Sequence, residues 1–206
     1  FDYLLGEETV PVADKAAQTA AAVLLLAEHP VISVNGNVVA LVAEEVVGLA
    51  NRISAKIEVN LFHRTDERIH RLVSRMEKAG GLDILGKDAA AHIDGLSHDR
   101  GWCEKEGIFK ADVVLVPLED GDRCQALRNM GKTVITIDLN PLSRTAKTAH
   151  VTIVDNVVRS VPRISFWVDK LKEKSEGDLL EVKDRWDNAY GLNMILKSIC
   201  SRFQKD

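Results

Sequence analysis

Short apolar runs alternate with longer segments of helical periodicity along most of this chain. Five runs rich in Val and Ile are predicted to be strands: 31–34, 56–59, 112–117, 133–137 and a run that ends at 155–156. The run at 133–137 is β-branched and apolar, which is typical of a strand covered on both faces of a parallel sheet. Residues 82–85 have a weaker strand pattern.

Between these runs, apolar residues recur at helical spacing. The pattern predicts helices over 13–28, 40–53, 64–78 and 122–130, and two helical stretches after Asn156 that are broken near Pro162 and at Gly177. Residues 86–110 have no clear periodicity and are rich in His, Asp and Gly. So long an irregular stretch indicates a functional loop or lid, or else an element misassigned from its pattern.

Strands that alternate with helices at these spacings imply right-handed βαβ units. We therefore expect an α/β fold with a Rossmann-like, mostly parallel sheet, helices on both faces and a C-terminal helical extension. The whole chain, 1–206, is interpreted as one domain, with about 157–206 as its extension.

Polar residues follow each of the five predicted strands. These strand ends are Asn35-Gly36-Asn37, Asn60, Glu119-Asp120-Gly121-Asp122, Asp138-Leu139-Asn140 and Asp155-Asn156. Parallel strands end at one edge of a sheet, and such sheets bind ligands beyond that edge. Turn chemistry explains any one of these sequences but explains five Asn/Asp endings less readily, so a ligand site is the favoured interpretation.

The most informative strand end is the one at Asp138. An acid there can hold ribose hydroxyls, and Arg144 with the hydroxyls of Ser143 and Thr145 can hold phosphate oxygens. The alternative is that residues 138–141 form only a strand-to-helix turn, because Asp, Asn and Pro also suit turns.

Two other strand ends offer further candidates. Asp120 could position Mg²⁺ through water or orient an incoming amine, while Asp122 is expected to cap the next helix. Asn35 and Asn37 suit the recognition of hydroxyls and carboxylates, although the same residues also make common turns.

A histidine and an arginine follow the strand at 56–59. Arg64 is expected near a helix start, where it could reach a phosphate or a carboxylate. It shares a predicted helix face with three further arginines, at spacings of 4, 3 and 4 residues. The alternative for these arginines is a solvated face paired with acids. His63 is a weak acid–base candidate, with a structural role as the alternative.

Composition and charge narrow the possible partners. The net charge is −4, so no global field draws the chain to nucleic acid or to anionic lipid. The longest apolar run, 20–27, is too short to span a bilayer. Three scattered cysteines, Cys103, Cys124 and Cys200, suit a reducing cytoplasm better than a disulfide framework.

Several familiar motifs do not occur in the sequence. There is no GxSxG, HExxH, GxGxxG or GxxxxGK[ST], so any nucleotide is held without a glycine-rich phosphate loop. The six histidines have no metal-ligand spacing, and a zinc site of His92, His98 and Cys103 is disfavoured. No metal ligands are therefore predicted.

Six long stretches give the chain a specific resemblance. They are FDYLLGE from Phe1, HPVISVNGN from His29, AKIEVNLFHRT from Ala55, ADVVLVPLEDGDR from Ala111, MGKTVITIDLNPLSRTA from Met130 and TIVDNVVR from Thr152. Together they resemble the archaeal-type 4-phosphopantoate–β-alanine ligases, also called phosphopantothenate synthetases, over nearly the whole chain.

The resemblance implies an enzyme of coenzyme A biosynthesis. Members of that family use ATP and Mg²⁺ to activate the carboxylate of 4-phosphopantoate as an acyl-adenylate, which the amine of β-alanine then attacks. The products are 4'-phosphopantothenate, AMP and pyrophosphate. The family is homodimeric, so the resemblance also implies a homodimer.

The resemblance places the ATP contacts on Asp138, Leu139, Asn140, Arg144, Thr145, Asn156 and Val157. The substrate candidates Asn35, Asn37, Asn60 and Arg64, and the catalytic candidates Asp120 and His63, are inferred instead from their positions along the chain. Family members also have a helical segment ahead of the position that matches Phe1, with further arginines for ATP. Because the sequence starts at Phe1 rather than Met, we expect the natural protein to extend upstream.

Two other functions remain open at this point. One is a flavin or nicotinamide domain, in which an apolar strand that ends in an acid also precedes Asn and Pro. The missing GxGxxG counts against it. The other is a nucleotide-binding domain that holds ATP without turnover.

Overall fold

Five parallel strands form the central sheet of the protein. The computed structural model describes residues 1–203. Its strands are β1 (Pro30–Val34), β2 (Lys56–Val59), β3 (Ala91–His92), β4 (Trp102–Cys103), β5 (Val113–Pro117), β6 (Thr133–Ile137) and β7 (Val151–Ile153). The order in the sheet is β2-β1-β5-β6-β7, and β3 pairs with β4 as a separate antiparallel hairpin. The predicted α/β fold with a parallel sheet is confirmed.

Helices connect these strands and continue beyond the last of them. They are α1 (Asp2–Leu5), α2 (Pro11–Leu26), α3 (Gly36–Ile53), α4 (Asp66–Lys78), α5 (Gly121–Asn129), α6 (Arg144–Thr148), α7 (Val157–Leu171), α8 (Glu176–Asp184) and α9 (Asn188–Arg202). The last three helices form the predicted C-terminal extension. They pack on α2, and α7 packs on α3 as well.

Each face of the sheet is covered by a different set of elements. Alternate strand residues, such as Ile32 and Leu115, pack in the large core with α2, α3 and α7. Residues of the opposite parity, such as Val31 and Val114, pack with α5 and with residues between 91 and 111. Because both faces are buried, β1 and β5 are apolar almost throughout, as the sequence pattern predicts.

Residues 86–110, termed the cover segment, are a packed part of the fold. They contain the β3–β4 hairpin, a 3₁₀ turn at Asp99–Gly101 and a π-helical turn at Lys105–Phe109. Ile93, Cys103 and Ile108 of this segment are fully buried. The sequence shows no period here because each element is too short to repeat one. The sequence pattern left two interpretations of this stretch, a functional loop or a misassigned element. The short packed elements found here correspond to the second.

The observed starts of α3 and α4 differ from the predicted ones in a way that concerns candidate site residues. α3 begins at Gly36 because Asn35 caps it, with Oδ1 accepting hydrogen bonds from the backbone N–H groups of Asn37 and Val38. α4 begins at Asp66, after its cap Thr65. Arg64 therefore precedes the helix, and the prediction that it shares a helix face with the other arginines is wrong.

The turns before α5 and α6 also differ in detail. The prediction that Asp122 caps α5 is wrong, because Asp120 does so by accepting the N–H of Arg123. The polar stretch between β6 and β7 contains a short helix, α6, whose cap is Ser143. Of the weak strand pattern at 82–85, only Leu85 forms a bridge, which joins it to Glu58 of β2.

The predicted break near Pro162 is wrong, because α7 runs through this residue. A proline here leaves the carbonyl of Val158 without its usual N–H donor, and Val158 is exposed, so water can take that place. The second break lies just before Gly177, where Ser175 and Asp178 form a capping box at the start of α8.

None of the helices in residues 1–203 is long and apolar enough to cross a membrane. The cysteines are all free, with Cys103 and Cys124 buried and Cys200 exposed. Burial raises the pKa of the Cys103 and Cys124 thiols to about 12, so both remain protonated at neutral pH.

Candidate functional site

All five strands of the central sheet end in polar residues at the same edge, termed here the carboxyl edge. In sheet order these residues are Asn60 after β2, Asn35 after β1, Glu119 and Asp120 after β5, Asp138 after β6, and Asp155 and Asn156 after β7. The parallel arrangement therefore brings the predicted strand-end candidates to one edge.

The sheet order reverses between β1 and β5, and Asn35 spans this point. Its Nδ2 donates to the carbonyl oxygen of Leu118 at 3.0 Å, while its Oδ1 caps α3. Leu118 has a φ of 54°, a left-handed conformation that is uncommon for a residue with a branched side chain. In open α/β sheets, ligands bind in the crevice at such a reversal. A strained backbone at this position fits a functional site.

A buried set of ion pairs lies directly after β5. The carboxylate of Glu119, whose side chain is 3% exposed, pairs with both Arg100 and Arg123. Arg123 is fully buried and also donates from Nη2 to the hydroxyl of Ser33 on β1 at 3.2 Å. Arg100 comes from the cover segment and pairs with Asp120 at 3.0 Å as well. Arg100, Glu119, Asp120 and Arg123 are termed the arginine cluster.

Some polar atoms in and beside this cluster have no partner. Burial lowers the pKa of Arg100 to about 10, which still leaves it charged at neutral pH. Nε of Arg100, Nε of Arg123 and Oδ1 of Asn60 are buried and have no hydrogen-bond partner among residues 1–203. A buried polar atom left unpaired costs about 1–3 kcal/mol. Such atoms in a native structure indicate a bound water or a ligand group.

A second buried acid, Glu58 on β2, fastens the cover segment to the sheet. Its Oε1 accepts the N–H of Glu104 at 2.9 Å, and its Oε2 accepts the N–H of Ile108 at 2.7 Å. Burial raises the pKa of Glu58 to about 7, although these hydrogen bonds and the charge of Arg123 oppose the shift. Residue 107 is Gly107, and a Cβ there would collide with the Glu58 carboxylate.

The carboxylate of Asp138, after β6, is held in a compact turn. Oδ1 accepts the N–H of Asn140 at 2.9 Å, and Oδ2 accepts a hydrogen bond from the hydroxyl of Ser143. Leu139 is half-buried and packs on a small core between α2 and α9. The turn that was the alternative interpretation of this sequence is therefore present, and it fixes the orientation of the acid at the edge.

Arg144 and Thr145 begin α6 and connect the ends of β6 and β5. Arg144 pairs with Asp122, and both side chains are exposed, so the pair contributes little to stability. The Arg144 side chain lies so close to Gly121 that a Cβ there would be 2.6 Å from its Nε. Thr145 is buried, and its hydroxyl donates to the carbonyl oxygen of Glu119 at 2.9 Å.

The end of β7 meets the start of the described chain. Asn156 caps α7 through Oδ1 and donates from Nδ2 to Asp2 at 2.8 Å. Arg159 pairs with Asp2 and with the buried Asp155, and its hydrogen bond holds the pKa of Asp2 below the usual value. Val157 is buried in the large core.

His63 and Arg64 lie in the loop after Asn60, where their contacts are structural. The guanidinium of Arg64 donates to the carbonyl oxygens of Gly86 and Lys87, which fastens the start of the cover segment. His63 is exposed, and its ring centroid lies 4.9 Å from that of Phe62. No hydrogen bond in residues 1–203 joins either side chain to the arginine cluster.

The described chain offers no ready-made metal cage. Among residues 1–203, no three His, Cys, Asp or Glu side chains are grouped so that they could hold a metal ion. Asp120, the candidate for positioning Mg²⁺, and the other acids after β5 are engaged with arginines. Glu119 and Asp120 belong to the arginine cluster, and Asp122 pairs with Arg144.

Glu58, Arg100 and Arg123 are not among the site residues predicted from the sequence. Glu58 carries a detectable signal, since it is an acid between the apolar residues Ile57 and Val59 of a strand. Arg123 lies at a position of α5 that faces the sheet, where an apolar residue is the expectation. Arg100 carries no such signal, because the segment around it has no period from which burial could be predicted.

Comparison with known proteins finds similarity between this chain and one family. A family model for phosphopantothenate/pantothenate synthetase matches residues 12–202, a range that includes every predicted site residue. The 4-phosphopantoate–β-alanine ligase of Thermococcus onnurineus is 50% identical over 206 residues, which are 100% of this chain and 79% of that protein. The protein of the same name from Methanosarcina mazei is 50% identical over 199 residues, 97% of this chain and 78% of its own.

A third relative, from Methanospirillum hungatei, has the same name and covers less of the chain. It is 53% identical over 173 residues, which are 84% of this chain and 70% of that protein. The three similarities together extend over both the sheet and the helices that follow it.

The raised pKa of Glu58 predicts a pH dependence of stability. The folded protein keeps this proton up to about pH 7, whereas the usual value is 4.5, so the folded state binds more protons between these values. The contribution of Glu58 to the free energy of unfolding therefore falls as the pH rises from 4.5 to 7, by up to about 3 kcal/mol.

The substitution Glu58→Gln should remove this titration and also leave one backbone N–H without an oxygen acceptor. We expect a loss of about 1–3 kcal/mol in the free energy of unfolding. The loss should be larger at pH 5 than at pH 7.5, as measured by urea unfolding. The matched control is Glu106→Gln, an exposed acid of the cover segment, which Glu58 fastens to the sheet. An equal loss at both pH values would contradict the assigned titration.

Proposed function

The chain belongs to the phosphopantothenate/pantothenate synthetase family, and on that premise we propose that it is a 4-phosphopantoate–β-alanine ligase. It is a ligase of coenzyme A biosynthesis and joins 4-phosphopantoate to β-alanine. Relatives of that name with half of their aligned residues identical support this function along the whole chain. They do not favour a flavin or nicotinamide domain, or a domain that binds ATP without turnover.

One observation supports the proposed reaction. Contacts from the β6 side of the carboxyl edge and contacts from its β1 side converge at the end of β5, next to Asp120. From the side of β6, Thr145 bonds to the carbonyl of Glu119, and Arg144 lies against Gly121. From the side of β1, Asn35 reaches across to β5. Substrates bound on the two sides would be adjacent at the end of β5, as a reaction between two bound molecules requires.

We assign ATP to the side of β6 and β7. Asp138 would accept hydrogen bonds from ribose hydroxyls, and its compact turn holds the carboxylate ready for them. Arg144 is exposed and only weakly paired, so it is free to hold a phosphate. The assigned ATP contacts are Asp138, Leu139, Asn140, Arg144, Thr145, Asn156 and Val157.

We assign 4-phosphopantoate to the side of β1 and β2, with Asn35, Asn37, Asn60 and Arg64 as its contacts. The buried Oδ1 of Asn60 has no partner in the described chain, and the hydroxyl of the substrate is a donor that suits it. Arg64 would have to exchange its bonds to backbone carbonyls for a bond to the substrate phosphate.

The chemistry proceeds through an acyl-adenylate. A carboxylate oxygen of 4-phosphopantoate attacks the α-phosphorus of ATP, and the bond to pyrophosphate breaks. The deprotonated amine of β-alanine then attacks the acyl carbon, a C–N bond forms and AMP leaves with the electron pair of the C–O bond. No protein nucleophile takes part, so positioning and charge stabilisation are the enzyme's contribution. We assign the acceptance of the amine proton to Asp120, with His63 as the alternative base.

Mg²⁺ fits this site as part of the ATP substrate. In proteins this ion usually keeps several waters and binds through one or two carboxylates and the phosphates of a substrate. The pair of Asp122 with Arg144 is exposed and weak, so the Asp122 carboxylate could serve as such a ligand once Arg144 holds a phosphate. The bound ion would supply neutralisation of phosphate charge next to the arginine.

We propose that residues 1–206 work as one domain in the cytoplasm. In the described part of the extension, α7 and α8 share a core with α2 and α3, which supports one cooperative unit. Two separate unfolding transitions would contradict it. The three free cysteines and the use of ATP support a reducing, ATP-rich compartment, which cell fractionation would test.

The ligase assay is the direct test of the proposed function. With the complete protein, ATP, Mg²⁺ and 4-phosphopantoate, we expect an exchange of labelled pyrophosphate into ATP, because the adenylate forms reversibly. Addition of β-alanine should give net release of pyrophosphate and AMP. The absence of both exchange and release would contradict the function.

The substitution Arg144→Ala tests the ATP assignment. Loss of a charge-assisted contact to phosphate should raise the Kd for ATP by about tenfold or more, as measured by calorimetry. Because Arg144 is exposed and its pair with Asp122 is weak, the thermal unfolding of the variant should be unchanged. The control is Arg128→Ala, an exposed arginine in the last turn of α5. Equal ATP binding by both variants would contradict the assignment.

A homodimer is the proposed assembly, and the groove between α3 and α7 is its proposed interface. Phe166 lines this groove together with charged residues of both helices, and Leu41 of α3, Val158 and Phe166 of α7 are 55%, 43% and 42% exposed. Val158 and Phe166 lie eight residues apart on α7, on the same side of the helix as Pro162. An exposed apolar stripe of this kind is typical of a protein interface.

A charge placed in this groove should separate the dimer. We expect light scattering after gel filtration to give the dimer mass for the parent protein and the monomer mass for Phe166→Glu, because an unpaired buried charge is costly. Tyr190→Glu, at an exposed aromatic residue of α9, should leave the dimer intact. A dimer that persists in Phe166→Glu would place the interface elsewhere.

A further inference from the structure

The ion pair of Arg100 and Asp120 combines a buried partner with a more accessible one. Nη1 of Arg100 lies 3.0 Å from Oδ2 of Asp120, and the two side chains are 9% and 36% exposed. The other carboxylate oxygen of Asp120 caps α5 by accepting the N–H of Arg123. A molecule that arrives at the carboxyl edge can therefore reach the aspartate without disturbing the cap.

The guanidinium of Arg100 does not use its full bonding capacity. Its Nη1 carries the ion pairs to both Glu119 and Asp120. Its Nε has no hydrogen-bond partner within residues 1–203. An arginine side chain has five N–H donors in a planar fork that suits a carboxylate. If Asp120 pairs with another group, Arg100 can donate to a new carboxylate while it remains paired with Glu119.

The charge balance of the arginine cluster selects the kind of ligand. Arg100 and Arg123 carry two positive charges, and Glu119 and Asp120 carry two negative charges. A purely anionic ligand would be repelled by two acids as well as attracted by two arginines. A zwitterion would keep the cluster balanced, because its ammonium can pair with an acid and its carboxylate with an arginine. Among the substrates of the proposed reaction, only β-alanine is a zwitterion.

The position of Asp120 determines which end of this ligand faces the proposed ATP side. Asp120 is followed by Gly121, against which Arg144 of the proposed ATP side lies. Arg100 belongs to the cover segment, and its carbonyl oxygen accepts a hydrogen bond from Asn60 at the end of β2, on the opposite side of the sheet reversal. An ammonium group at Asp120 would be close to the adenylate, and a carboxylate at Arg100 would be away from it.

We propose that β-alanine binds by inserting between Arg100 and Asp120, with its carboxylate on Arg100 and its ammonium on Asp120. The proposal rests on the proposed ligase function and identifies the subsite of its second substrate. The ammonium passes one proton to the aspartate carboxylate. Its nitrogen then forms the C–N bond to the acyl carbon, and AMP leaves with the electrons of the broken C–O bond.

Separate measurement of the two half-reactions distinguishes a defect in this subsite from a defect in the ATP or 4-phosphopantoate sites. In Asp120→Asn the cap of α5 is retained, since Asn caps helices about as well as Asp. The charge that holds the ammonium is lost. We expect the KM for β-alanine to rise by about tenfold or more and kcat to fall, because the same carboxylate accepts the amine proton, whereas pyrophosphate exchange driven by 4-phosphopantoate, which involves no amine, should fall less than the complete reaction. An unchanged KM for β-alanine in a folded variant would overturn the proposal, as would a loss of exchange.

A substrate analogue distinguishes binding from structural damage. The amide of β-alanine keeps the amine but has no carboxylate, so the parent protein should prefer β-alanine to this amide by about tenfold or more in kcat/KM. In Arg100→Gln we expect this preference to disappear, and Arg100→Lys should restore part of it. A structural role would impair both amines equally and leave the preference unchanged, which would overturn the proposal.

The controls keep this test independent of the proposed function. Arg71→Gln alters an exposed ion pair on α4 and should leave the preference and the exchange as in the parent protein. If the parent protein itself shows no exchange and no β-alanine-dependent product, the ligase function fails. If the parent protein is active and Asp120→Asn retains its KM for β-alanine, only the subsite fails.

Discussion

The carboxylate of Glu119, held between Arg100 and Arg123, is the interaction on which the arrangement of the site depends. It ties the end of β5 to the cover segment through Arg100, and to β1 through Arg123 and Ser33. Buried ion pairs often add little net stability, but removal of one partner leaves an uncompensated charge and is strongly destabilising. The three side chains therefore act together and fix the position of Asp120 at the edge.

The polar strand ends serve both the fold and the proposed chemistry. Asn35, Asp120 and Asn156 each use a side-chain oxygen to cap the helix that follows the strand. The cap restricts the rotamer and leaves the rest of the side chain at the carboxyl edge. Turn and ligand interpretations of such residues are therefore compatible, because the same hydrogen bonds that end a strand also orient a binding group.

The two sides of the edge differ in charge in a way that matches the proposed substrates. On the side of β6, Arg144 is exposed and its pairing with Asp122 is weak, which suits a polyanion that brings its own cation. At the end of β5, the arginine cluster is buried and balanced, which suits a molecule with both charges. Burial makes the second site more selective, because an unbalanced charge is more costly away from water.

The sequence by itself determined the α/β fold, the parallel sheet and the residues at the strand ends, because apolar runs and helical periods are local patterns. The family resemblance added the reaction. Only the tertiary structure decided that Asp120 rather than Asp122 caps α5, that Arg64 holds the cover segment, and that Arg100 lies beside Asp120. The last two outcomes depend on contacts between residues at least 20 positions apart in the chain. A buried arginine in a segment without periodicity has the same sequence signal as an exposed one, and its charge partner exists only once the sheet has formed.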